Sequence, residues 1–224
     1  VKLSRAAWLR ILPFALFMAL LALRANWPPQ AAQWLDPRWI YALNLPIVGG
    51  LLLWWWREYG ELARQNLPTA REAVVAVAVG LVVFVLWTQL TAPWMQLGEA
   101  SAVFHPVDAS GRPEMALIVV RALGAALVVP VMEELFWRSF LMRWFEHATF
   151  QGVDPRRVGW RAIALSTFVF VLAHPLWLAA LVAGLAYALL YRWSGRLWTA
   201  VIAHAVTNGA LALYVVATGR WAFW

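Results

Sequence analysis

Residues 128–140 read VVPVMEELFWRSF. The stretch is apolar at both ends, yet it carries Glu133, Glu134 and Arg138. A charge at the centre of a bilayer costs about 2.5–3.5 kcal/mol on insertion scales, so charges kept there default to a functional or pairing role. Whether this stretch lies in lipid therefore decides both the fold and where its chemistry sits.

The surrounding chain answers for lipid. Its 224 residues are 63% hydrophobic and only 13% charged, with a mean hydropathy of +0.67. A soluble domain of this length needs more polar surface. Seventeen Trp suit the headgroup boundary. The composition predicts an all-α fold, a polytopic integral membrane helical bundle whose first partner is the lipid bilayer. Cysteine is absent, which excludes disulfides, thiolate metal sites and a Cys nucleophile. The net charge of +7 marks cytoplasmic loops in such a protein, and no nucleic-acid partner is expected. Arg outnumbers Lys seventeen to one, the bias of a GC-rich genome, so a bacterial inner membrane is the expected location.

Spanning the hydrocarbon takes roughly 20 mostly apolar residues. That rule predicts about seven transmembrane helices, near 8–23, 40–56, 72–91, 115–144, 160–174, 176–191 and 198–217, or eight if one is broken. Pro175 separates the short fifth and sixth, and Pro130 is placed to kink the long fourth. The first segment has no small-residue cleavage site and reads as a retained helix. With the N-terminus inside, one face collects Lys2, Arg5, Arg10, Arg57, Arg64, Arg71, Arg138, Arg143, Arg156, Arg157, Arg161, Arg192 and Arg196. The other collects Arg24, Arg38, Arg112 and Arg220, so the asymmetry predicts a cytoplasmic N-terminus. The polar stretch 92–114 reads as an exposed linker. It divides residues 1–114, the N-terminal helices and outer loop, from residues 115–224, a transmembrane core within one integrated membrane domain. The first three spans are read as free of internal ionisable groups, with every deep polar group after residue 115.

Those deep groups are Arg121, Glu133, Glu134, Arg138, His174, His204 and Asn208. Glu134 and Arg138 stand four apart, share a helix face and can form an ion pair. Glu133 points about 100° away and does not share that partner equally. A buried Glu without a partner needs a water or a metal. His204 and Asn208 are again four apart, presenting two polar heads on one face of the last span. All three Asp fall in loops, so no intramembrane aspartyl dyad is available, and neither a Gly-x-Ser nucleophile signature nor a His-Glu-x-x-His zinc helix is present. What remains is one carboxylate, two imidazoles and one amide from three segments. A carboxylate can take a proton from water while an imidazole holds that water, and an imidazole with an amide can donate to an oxyanion. Glu133, His174 and His204 could equally hold a divalent metal such as zinc with an open position. The residues alone leave both routes open, beside a non-catalytic scaffold or immunity protein and a proton-coupled transporter.

The order Glu-Glu-x-x-x-Arg (Glu133, Glu134, Arg138), Phe-x-x-x-His (Phe170, His174) and His-x-x-x-Asn (His204, Asn208) resembles the CAAX-protease and bacteriocin-processing (CPBP, or Abi) family of intramembrane proteases, related to the Rce1-type CAAX prenyl endopeptidases. The resemblance covers roughly residues 115–217. It implies an intramembrane endopeptidase acting on a membrane-associated protein or peptide, with a catalytic cavity open toward the cytoplasm. It implies Glu133 as general base, His174 helping to position the water, and His204 with Asn208 as the oxyanion hole. Glu134, Arg138 and Phe170 would support that geometry. No cofactor is required on this reading, with a metal-dependent peptidase on the same residues as the lesser alternative. The helices differ in depth at these residues, so their convergence is expected to need tilt or a break near Pro175.

Overall fold

The computed structural model describes residues 3–98 and 104–224. Lys2, counted among the cations of one face, and residues 99–103 of the predicted linker lie outside the described residues. The chain is an all-α membrane bundle. Its helices are α1 (Arg5–Ala25), α2 (Gly50–Trp54), α3 (Ala70–Gln89), α4 (Met115–Glu146), α5 (Trp160–Leu172), α6 (Trp177–Ser194) and α7 (Leu197–Thr218). Five of them, α1, α3, α4, α6 and α7, are long and apolar enough to cross a membrane. The predicted second span, 40–56, is not one regular helix. A 3₁₀ stretch (Pro37–Leu43) and a π turn (Leu45–Gly49) lead into the short α2. The fifth stops after 13 residues, just before the His174–Pro175 pair.

Local chemistry sets the helix ends. The Ser4 side chain accepts from Ala7 N at 3.2 Å to start α1, and Thr69 with Glu72 forms a reciprocal capping box on α3. Gly195, at φ +71°, closes α6 in the left-handed conformation. On α3, Val74, Val82 and Val85 remain exposed, as on a helix whose outer face meets hydrocarbon.

Small residues set how closely the helices approach. A Cβ on Gly80 of α3 would lie 2.4 Å from the Ala203 carbonyl oxygen of α7. A Cβ on Gly184 of α6 would lie 2.9 Å from Thr167 Cγ2 of α5. These contacts bring α3 onto α7 and α5 onto α6 at near-backbone distance, the small-residue packing that drives association where hydrophobic burial gives no advantage.

α4 is helical throughout but not uniform. Two π-helical stretches interrupt it, Gly124–Val128 and Leu135–Met142, on either side of Pro130 and the two glutamates. In the first, Val129 N–H reaches back to Gly124 O. The next such bond would run from residue 130 to Ala125 O, and Pro130 has no N–H to give. Ala125 O is thereby released for a partner outside the helix.

The chain between α3 and α4 is tied down rather than loose where it is described. Phe104 is buried, its N–H donates to Trp224 O at 3.2 Å, and Glu114 pairs with Arg38 at 2.6 Å. The reading that α1–α3 hold no internal ionisable group is corrected by Arg10. This residue sits in α1 at 1% exposure, because Glu61 reaches it with a carboxylate.

Candidate active site

Two antiparallel helices hold the motif residues in register. The Arg138 guanidinium of α4 lies over the Phe170 ring of α5 at 4.7 Å and over Tyr187 of α6 at 5.4 Å. One turn further along both helices, Glu133 and Glu134 come level with His174, which lies within electrostatic reach of Glu133, His204 and Arg138. The break after α5 is what permits this. The chain turns at Ala173–Leu176, and Leu97 N–H donates to Pro175 O at 2.7 Å to hold the turn.

The two adjacent glutamates are both buried, each with an Oε2 enclosed without a partner, but they differ in their hydrogen bonds. Glu134 is fully buried, and its Oε1 accepts from Arg138 Nη1 at 3.1 Å and from His204 Nδ1 at 2.8 Å. Arg138 also donates to Gly184 O at 3.3 Å. Glu133 is nearly as buried, at 7% exposure, but makes no hydrogen bond among the described residues, and its Oε2 is enclosed without a partner. The i to i+4 arithmetic that assigned Arg138 to Glu134 thus leaves Glu133 with its acceptor capacity unused.

Both imidazoles are oriented by what their Nδ1 faces. His174 Nδ1 lies 2.8 Å from Phe170 O. A carbonyl only accepts, so Nδ1 carries the proton, and in the neutral ring Nε2 is an acceptor. Phe170 O also accepts from Ala173 N–H at 3.1 Å, so the carbonyl takes two donors at the end of α5. Phe170 and Trp87 flank the His174 ring at 4.3 and 5.9 Å. His204 stacks on Tyr187 at 5.0 Å with 20° between the planes. Tyr187 Oη donates to Thr207 Oγ1 at 2.8 Å, and Thr207 lies 2.8 Å from Gly80 O across the α3–α7 contact.

Asn208 Nδ2 donates to Ala125 O at 2.8 Å, the carbonyl released by the π turn before Pro130. One amide hydrogen is spent there and one remains. The structure therefore brings Glu133, Glu134, Arg138, Phe170, His174 and His204 into one polar cluster, and Asn208 reaches it by way of α4. Arg121 stands apart, over the Tyr41 ring at 4.2 Å. Among the described residues no group of three or more His, Asp or Glu side chains is placed to hold a metal ion. Sequence reasoning did not single out Tyr187 or Trp87. An aromatic residue in an apolar span carries no signal of its own until a ring is seen against it.

Comparison with curated proteins and with solved structures gave no match. Residues 115–210 match the family described as Type II CAAX prenyl endopeptidase Rce1-like. That interval contains the whole of α4, α5 and α6, and α7 as far as residue 210, and with them every residue of the cluster. Through this segment the chain is similar to the Rce1-like CAAX endopeptidases.

Proposed function

We propose that the protein is an intramembrane endopeptidase in which Glu133 activates water against a peptide bond of a membrane-associated protein or peptide. The observation that carries this reading is the contrast between the glutamates. Glu134 is held through Oε1 by Arg138 and His204, while Glu133, within electrostatic reach of His174, makes no side-chain hydrogen bond among the described residues; each has an Oε2 enclosed without a partner. Glu133 takes a proton from water, with His174 Nε2 accepting the other water hydrogen and fixing its orientation. The hydroxyl oxygen bonds the carbonyl carbon, and the carbonyl oxygen becomes the anion. The C–N bond then breaks as the proton passes from Glu133 to the amine nitrogen. His204, whose Nδ1–H is given to Glu134, can donate through Nε2 as the imidazolium, and Asn208 has one amide hydrogen left for the same oxygen. No step requires a metal. The excess of Lys and Arg on one side supports a cytoplasmic N-terminus, and the Arg-over-Lys bias supports a bacterial inner membrane.

The test is cleavage of a fluorogenic peptide library by the detergent-purified protein, with Glu133→Gln and His204→Ala beside wild type, each with and without chelator. Chelator-insensitive cleavage by wild type, lost in Glu133→Gln, is expected. Cleavage retained by Glu133→Gln removes the base assignment, and cleavage abolished by chelator returns the site to metal chemistry.

A further inference from the structure

A second buried polar cluster lies one turn beyond the first along α4. Glu61, from the connection between α2 and α3, accepts from Arg10 Nη2 at 2.6 Å and from Arg143 Nη2 at 2.5 Å, and Ser139 Oγ donates to it as well. Arg10 Nε donates to Ser139 Oγ at 2.9 Å, and Arg143 Nε donates to Ser139 O at 2.6 Å. Arg10 and Arg143 lie against the Phe150 ring at 5.3 and 5.4 Å. Ser139 is fully buried and Arg10 is 1% exposed. One carboxylate thus ties α1 to the π-helical stretch Leu135–Met142 of α4, five residues past Glu134.

Stability does not account for such a cluster. Burying ions costs about as much as their attraction returns, and an apolar substitute is often as stable. What an ionic cluster supplies that apolar packing lacks is register, since its donors and acceptors meet in one rotation and one depth only. Register is what α4 needs. Its π turns leave it without the rigidity of a regular ladder, and Glu134 must meet His204 while Glu133 stays unpaired. Arg10 and Glu61 both precede residue 115, where the family match begins.

We infer that Glu61, with Arg10, Ser139 and Arg143, forms a positioning site through which the N-terminal helices hold α4 so that Glu134 meets His204. The inference rests on the functional reading above only for its effect on turnover. The placement of α4 can be read without any activity.

The readout is the hydrogen-bonded Nδ1 proton of His204, observed by ¹⁵N–¹H NMR of the detergent-solubilised protein and assigned by its loss in His204→Gln. Glu61→Gln is expected to shift or broaden this signal, and to lower kcat about a hundredfold with KM held, the cost of a misplacement near 1 Å. Ser139→Ala is expected to do the same to a smaller extent. If Glu61→Gln does not fold, Glu61→Gln with Arg143→Gln keeps the cluster's net charge and is read the same way. A folded variant with the His204 signal of wild type overturns the inference, as does a shifted signal with kcat unchanged. A wild-type protein that cleaves no peptide sinks the peptidase reading alone, and the NMR comparison still decides the placement of α4.

Discussion

His204 Nδ1 lies 2.8 Å from Glu134 Oε1, the same oxygen that takes Arg138 at 3.1 Å. A contact between residues seventy positions apart thus adds a second donor to a carboxylate oxygen that Arg138 already holds, while the neighbouring Glu133 receives neither.

The first consequence is a separation of stability from activity. Glu134→Gln leaves Arg138 and part of the His204 ring without their counter-charge, and should cost about 3–5 kcal/mol. Glu133→Gln breaks no bond and removes a desolvated charge, so its unfolding temperature should equal or exceed that of wild type. Thermal unfolding in detergent, run beside the cleavage assay, checks the pair. An equal loss of stability in both variants contradicts the assignment.

Asn208 and Pro130 should be coupled although they do not touch. Asn208→Ala strands Ala125 O, a loss of about 1–3 kcal/mol for a buried unsatisfied acceptor. Pro130→Ala restores an N–H at the position that can take that carbonyl within the helix. In a double-mutant cycle, Asn208→Ala should cost less in the Pro130→Ala background than in wild type. Strict additivity would show that the released carbonyl is not what Asn208 serves.

At the α3–α7 contact, Gly80→Ala places a Cβ against the Ala203 carbonyl oxygen and Val206 Cβ, at 2.4 and 2.9 Å. The helices must part, at about 1–3 kcal/mol, and the Thr207 contact with Gly80 O is strained along with Tyr187. Lower unfolding temperature together with lower activity is expected. Gly60→Ala, where no atom lies within 4 Å of an added Cβ, is the control.

Acid should act through Glu61. Burial disfavours its carboxylate, but Arg10 and Arg143, with bonds from Ser139 and Arg10, outweigh that and hold its pKa below the usual 4.5. Tyr59 and Tyr191 also lie within electrostatic reach of Glu61, with Glu58 and Asp154 beyond them. A pKa depressed in the folded state means that Glu61 contributes stability that is full above its unfolded value and is lost as pH falls through the folded value. The gap in unfolding temperature between wild type and Glu61→Gln should be full at neutral pH and close only as pH falls below the usual carboxylate range. A gap independent of pH would remove the ion pairs from the account.

Hydropathy and helical period are local properties, and the sequence by itself determined what depends on them: the all-α membrane bundle, the long apolar helices, the Glu134–Arg138 pair and the shared face of His204 and Asn208. The motif order pointed to the same family as the match over residues 115–210. What only the tertiary structure decided is which groups meet between segments. Arg10 counted as a loop cation because its partner Glu61 is fifty-one residues away. The irregular second span followed from π and 3₁₀ turns that periodicity does not register. Nor could spacing say that Asn208 would serve a carbonyl released by a proline on another helix, since that depends on two backbones approaching closely enough for one side chain to replace a missing N–H.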